Sequence, residues 1–277
     1  MGFKDLVVSI DSSREGRERM ALAIQLARRA GAHLLGYYVS PTVGEYVASP
    51  GPKLVDEEGR EIHSGASLGE VAEAIEQAFE DALKAHGLKG VWLMSGERVV
   101  EDIVEHIRAA DLAILGLGDP DRATANPQGF HPEDIILSCG RPILGVPIAN
   151  LPERVGANIL VAWDGSREAS RAMNDALPLL VEAESVTVLS VAGNDHAARL
   201  AESAATHLRR HGAPATASVT PTGDLGIGEL ILAHSEHIRA DLVVAGGYGH
   251  SRLSEAILGG VSLTLLRQMM VPVFMSH

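Results

Sequence analysis

The sequence predicts an α/β fold in two tandem copies, each a parallel sheet covered by helices on both faces. Three observations lead there. Short aliphatic and β-branched runs of four to seven residues alternate with stretches of helical spacing, as in a parallel sheet whose strands are buried on both sides. The order of these runs starts afresh near Asn158. One run also bursts into glycines, Asp241-Leu-Val-Val-Ala-Gly246-Gly247-Tyr248-Gly249, with Gly259-Gly260-Val261-Ser262 further along.

Leu6–Ile10 reads as a buried strand ended by Asp11-Ser12-Ser13. The helix after it, Glu15–Ala30, carries Ala21, Ile24, Leu26 and Ala27 and stops at Gly31, a usual C-terminal glycine. Strand His33–Val39 comes next. Residues Ser40–Ser67, with prolines 41, 50 and 52, read as an inserted surface loop. Helix Leu68–His86, strand Val91–Met94, helix Val99–Arg108 and strand Asp111–Leu115 follow. The stretch Gly116–Pro127 is loop, a short helix lies near Glu133–Ser138, and strand Pro142–Val146 closes the half. Residues Pro147–Pro152 form the linker.

The second half repeats this order: strand Ile159–Trp163, helix Ala169–Leu180 with Pro178 near its end, strand Ser185–Val191 and helix Ala197–His211 stopped by Gly212. Strand Thr216–Thr220, helix Gly228–Arg239, strand Asp241–Ala245, the glycine stretch, helix Leu253–Gln268 and strand Val271–Met275 complete it. Each half therefore holds five strands, in domains 1–150 and 151–277.

The halves superpose. Asp11-Ser-Ser-Arg-Glu15 lies over Asp164-Gly-Ser-Arg-Glu168 at an offset of 153, and from Asp111 onward the offset is 130. The difference falls on the Ser40–Ser67 insert. At the second offset Gly116 and Gly129 match Gly246 and Gly259. Asp119, however, stands opposite Gly249, and Phe130, His131 and Pro132 stand opposite Gly260, Val261 and Ser262. A carboxylate there repels an anion, Pro132 has no N–H to donate, and Pro127 disturbs the intervening helix. The first half is therefore expected to have lost an anion site that the second keeps.

Glycines after a strand and before a helix let backbone amides approach a ligand, and the helix dipole attracts negative charge. The spacing Gly246, two residues, Gly249, nine residues, Gly259 resembles the ATP-binding signature of the universal stress protein family. The departure is Gly260, where that signature has a hydroxyl residue; Ser262 agrees with it. The resemblance extends over the C-terminal half from Ile159-Leu-Val-Ala-Trp-Asp164-Gly165-Ser166. It implies two Rossmann-like domains of the adenine-nucleotide-hydrolase-like type, each a five-stranded parallel sheet of order 3-2-1-4-5. It also implies that the halves pair through strands Pro142–Val146 and Val271–Met275 as an intrachain pseudo-dimer, with a homodimer left open.

The implied ligand is ATP or another adenine nucleotide, with or without Mg2+. Ala162, Asp164 and Val191 would stand on its adenosine side, and Gly246, Gly249, His250, Gly259, Gly260, Val261 and Ser262 on its phosphate side. Several of these positions have a second reading. Asp164 accepts from an adenine amine or a ribose hydroxyl, or it caps the following helix. His250 and Arg252 meet phosphate or are solvated, and the glycines serve tight turns and helix packing alone. The pairs His207/His211 and His234/His237 have metal-ligand spacing without a visible third ligand, so solvated histidines are expected. Cys139 is expected to be a buried small residue.

A net charge of −13 without a basic patch argues against nucleic acid and anionic membranes as partners. A single cysteine excludes an intrachain disulfide framework, and no signal peptide or membrane-length apolar run is visible, so a cytoplasmic protein is expected. No nucleophile elbow, Walker lysine or paired-carboxylate arrangement marks a catalyst. Three classes stay open: a regulatory nucleotide binder without rapid turnover, a nucleotide-free scaffold or chaperone-like module, and a slow ATPase.

Overall fold

A computed structural model of the chain describes residues 2–39, 68–95, 99–117, 132–148, 151–152, 154–192, 194–247 and 260–277. It separates into two compact units, Gly2–Cys139 and Gly140–His277. The segments 40–67 and 118–131, read above as insert and loop, lie outside the described residues.

The first unit runs β1 (Asp5–Ile10), α1 (Arg14–Ala30), β2 (His33–Tyr38), α2 (Leu68–Ala85), β3 (Gly90–Met94), α3 (Val99–Arg108), β4 (Leu112–Gly116) and α4 (Pro132–Cys139). Its strands are parallel in the order β3-β2-β1-β4. The second unit runs β5 (Ile143–Val146), β6 (Asn158–Ala162), α5 (Arg167–Asp175), α6 (Leu177–Val181), β7 (Ser185–Val191) and α7 (Asp195–Arg210). It continues with β8 (Ala215–Thr220), α8 (Ile227–His237), β9 (Leu242–Gly246), α9 (Gly260–Gln268) and β10 (Val273–Ser276). Five of its strands are parallel in the order β10-β9-β6-β7-β8, and β5 joins β10 antiparallel, with Leu144 opposite Phe274. The α/β class and the strand order follow the sequence reading, although the strand expected to close the first half, β5, falls in the second unit.

Central strands are mostly apolar because helices cover both faces. Leu6, Val7 and Val8 of β1 are buried beside Leu112 and Ile114 of β4, and Ile159, Leu160 and Val161 of β6 beside Val243 and Val244 of β9. Each such side chain contributes about 1.5–3 kcal/mol by leaving water. Asp111 ties the start of β4 to β1 by accepting from the amides of Lys4 and Asp5 (2.6 and 3.1 Å). Asp241 does the same for β9 and β6, accepting from Gly156, Ala157 and Asn158 (2.8, 2.9 and 3.1 Å).

Helix α1 starts on Ser13, whose hydroxyl accepts from Gly16 N, and ends at Gly31 in the left-handed region (φ 60°). Helix α5 starts on Ser166, which accepts from Ala169 N with closely matching dihedral angles. The single helix expected over Ala169–Leu180 is two. The chain breaks at Ala176 because Pro178 has no N–H for the i→i−4 ladder and sits in the first turn of α6 instead. The final helix is described only from Gly260, the rest of the span expected from Leu253 lying outside the described residues.

Cys139 is buried, as read. Two of the histidines expected to be solvated are half-buried instead. The His207 ring lies tilted against that of His211, 4.6 Å between centroids. His234 faces the hydroxyls of Ser218 and Thr220, each at 3.5 Å, and burial, with the charge of His237, lowers its pKa. His234 therefore lies on a helix flank turned toward β8, which periodicity alone did not separate from solvent. Among the described residues no group of three potential ligands could hold a metal ion, and no helix is long and apolar enough to cross a membrane.

Candidate functional site

Beside β6 the strand order reverses: β6 leads on through β7 to one side while β9 lies on the other. In open α/β sheets that reversal leaves a crevice beyond the strand C-termini. Here it is a cavity of about 550 Å³, bordered by the ends of β6, β7 and β9 and by the first turns of α5, α7, α8 and α9.

All seven described residues expected at the site line this one cavity: Ala162 and Asp164 after β6, Val191 after β7, Gly246 after β9, and Gly260, Val261 and Ser262 at the start of α9. Gly249, His250 and Gly259 lie outside the described residues, as do Tyr248 and Arg252.

Local chemistry explains the placement. Asp164 does not cap α5; Ser166 does, and Asp164 Oδ1 accepts from Ser166 N at 2.9 Å. Sequence reasoning left the cap open to Asp164 as one of two readings, because either residue suits it. The hydrogen bond folds the Asp164 carboxylate back beside the cavity mouth. Gly246 is dictated by contact: a Cβ there would lie 2.5 Å from Ala169 N and 2.7 Å from the Glu168 carbonyl carbon. Both atoms belong to the Glu168–Ala169 peptide, backbone that cannot swing aside, so only glycine lets β9 end against the first turn of α5. Gly260, Val261 and buried Ser262, where the described part of α9 begins, border the same space.

Sequence reasoning missed the rest of the wall. Leu189, Leu200, Ile227 and Ile231 make it apolar, the last two at the i, i+4 spacing that marks one helix face. Trp163 also lines it, and its buried Nε1–H has no acceptor among the described residues. Glu168, only 9% exposed, borders the cavity and pairs with Arg167 Nη2 at 3.1 Å. Its signal was its place in the first turn after the strand-ending aspartate.

No protein-family model matches the sequence, and no curated protein does. Solved structures do match the fold. A universal stress protein from Archaeoglobus fulgidus superposes with a TM-score of 0.73 at 16% identity, over 98% of this chain and 95% of that one. The chain has the universal stress protein fold. A candidate universal stress protein from Pseudomonas aeruginosa aligns at TM-score 0.60 and 16% identity, covering 99% and 93% of the two chains. The fold reaches beyond proteins of that name. The cytoplasmic domain of a prokaryotic cation chloride cotransporter aligns at TM-score 0.52 and 14% identity, over 100% and 96%. Identities this low carry architecture, and the site must be argued from its own residues.

Within the universal stress protein fold the first unit handles the same positions differently. Asp11, opposite Asp164 in the sequence superposition, is 4% exposed and bonded to Arg19 Nη2 at 2.7 Å. Arg19, 3% exposed, also donates from Nε to Ser9 O at 2.6 Å. At the same offset Ala172 stands where Arg19 does, and Val191 where Tyr38 does. Tyr38 is buried and stacks on Trp92 at 5.7 Å. Its hydroxyl pKa is pushed up to about 12 by burial and by the Asp11 charge. The carboxylate that borders a cavity in the second unit is, in the first, buried and paired with an arginine.

Proposed function

We propose that the chain is a tandem universal stress protein whose second domain, residues 151–277, binds an adenine nucleotide, while the first, residues 1–150, has lost that site. The observation that carries the reading is the 550 Å³ cavity, which gathers all seven described residues singled out in advance. The apolar wall suits a base, the Asp164 carboxylate an exocyclic amine or ribose hydroxyl, and the first amides of α9 a phosphate. The engagement of Asp11 by Arg19, and the bulk of Tyr38, support loss of the site in the first half. The ligand is ATP or a related adenine nucleotide, with or without Mg2+, and it stabilises or switches a cytoplasmic protein rather than being turned over rapidly.

Equilibrium dialysis with radiolabelled adenine nucleotides tests this. The chain should saturate at one equivalent. Val191→Tyr, copying Tyr38, and Gly249→Asp, copying Asp119, should each weaken binding at least about tenfold, or about 1.4 kcal/mol. Absence of any binding would favour a nucleotide-free scaffold, and phosphate release above a blank would favour a slow ATPase.

A further inference from the structure

Beside the cavity, the exit of β9 is gripped by the end of β10 and by α5. Gly247, the residue after β9, is buried, and both of its backbone groups are paired. Its N–H donates to Ser276 O at 2.8 Å, and its carbonyl accepts from His277 Nδ1 at 3.0 Å. A carbonyl can only accept, so Nδ1 carries the proton in that bond. The grip continues into α5, where Arg171 Nη1 donates to His277 O and Asp175 Oδ2 accepts from Ser276 Oγ at 2.9 Å. Arg171 and Asp175 stand four apart, on one face of the helix whose first turn, with Glu168 and Ala169, borders the cavity. Ala245 and Gly246, just before Gly247, line the cavity themselves. One bonded assembly therefore runs from His277, which is not among the described lining residues, to two of the cavity's walls.

The imidazole is the part of this assembly that a substitution can remove. Without it the buried Gly247 carbonyl loses that donor, and a buried acceptor left unpaired is driven toward water. The exit of β9 would then sample arrangements other than the one that lines the cavity. Apparent affinity falls by the fraction of chains still in the binding arrangement.

We infer that His277 is a positioning residue for the cavity. Its ring holds the Gly247 carbonyl and, with Arg171 behind it, keeps the end of β9 in the arrangement that a ligand meets. It acts through Gly247 and not by touching the ligand. This rests on the reading of the cavity as an adenine-nucleotide site and goes beyond it by naming what keeps that site formed.

Isothermal titration of the full chain with AMP and with ATP tests the inference. His277→Ala should weaken binding about fivefold, the worth of one hydrogen bond in affinity. His277→Asn, which keeps an N–H donor near the place of Nδ1, should bind nearly as the parent does. His277→Phe, which keeps a ring and loses the donor, should bind as His277→Ala does, and Arg171→Ala should shift affinity in the same direction. Hydrogen exchange needs no ligand: the Gly247 amide should exchange faster in His277→Ala and return toward the parent rate in His277→Asn. Equal binding by the parent and His277→Ala, or a loss that His277→Asn fails to restore, overturns the inference while leaving the site reading intact. Failure of the parent to bind either nucleotide overturns both.

Discussion

Arg19→Met should destabilise the chain by about 3–5 kcal/mol at neutral pH, the cost of leaving one partner of a buried ion pair uncompensated. Arg19 holds two acceptors at once, the Asp11 carboxylate and the Ser9 carbonyl at the end of β1. Burial alone would push the Asp11 carboxyl up. The Arg19 charge, with hydrogen bonds from Ser13 and Arg19, outweighs burial and holds the pKa below its ordinary 3.8. A carboxyl with a depressed folded-state pKa stabilises the fold above its unfolded value, and that contribution disappears as pH falls through the folded value. In Arg19→Met the charge is gone and burial dominates, so the sign reverses and the variant favours a protonated Asp11. Its deficit relative to the parent should therefore start to shrink above pH 3.8, where the variant's Asp11 takes up its proton, and go on shrinking below 3.8 as the parent loses its own contribution. Adding Asp11→Asn should recover most of the loss at neutral pH. Urea unfolding of the parent, both single variants and the double variant measures all of this. A deficit under 1 kcal/mol at neutral pH would show that the pair is dispensable.

Gly246→Ala should fail for a different reason. The added carbon would stand 2.5 Å from Ala169 N and 2.7 Å from the Glu168 carbonyl carbon, both in the first turn of α5. A flexible side chain could swing aside, but these are backbone atoms fixed by the Ser166 cap and the helix ladder. Forcing β9 and α5 apart costs about 1–3 kcal/mol by the usual measure of overpacking. It also displaces Glu168 and the end of β9, which border the cavity from two sides. Ligand affinity should fall more than stability does. Gly223→Ala is the control, because a Cβ there meets nothing within 4 Å. Thermal unfolding read beside ligand titration separates the two effects, and an unchanged affinity in a folded Gly246→Ala protein would contradict the contact.

The fold was legible because a buried parallel strand has no polar face to hide. Leu6–Ile10, Ile159–Trp163 and Asp241–Ala245 announced themselves as short, mostly aliphatic runs, and the duplicated Asp-x-Ser-Arg-Glu fixed which strand was which. Glycine at 31 marked a helix end for the same local reason that its φ of 60° now displays. Local rules said less where two residues competed for one job. Ser166 and Asp164 both suit an N-cap, and only the geometry gives the cap to the serine. Pro178 signalled a break without saying that a new helix would start around it.

The site was half legible. Positions at strand ends could be named, because topology alone carries them to the crevice. Residues contributed from across it could not: Ile227, Ile231 and Leu200 look like ordinary core positions on their helices, and Glu168 like an ordinary first-turn acid. The engagement of Asp11 by Arg19 joins residues eight apart through a buried contact that no spacing rule singles out.

The central claim is that a nucleotide enters the second unit and not the first. Photolabelling the full chain with an azido-adenosine monophosphate, followed by peptide mapping, tests it most directly. Adducts should fall on the peptides that carry Asp164, Val191 or Leu200, and unlabelled adenosine monophosphate should compete them away. Competable adducts on the peptides that carry Asp11 or Tyr38 would contradict the account.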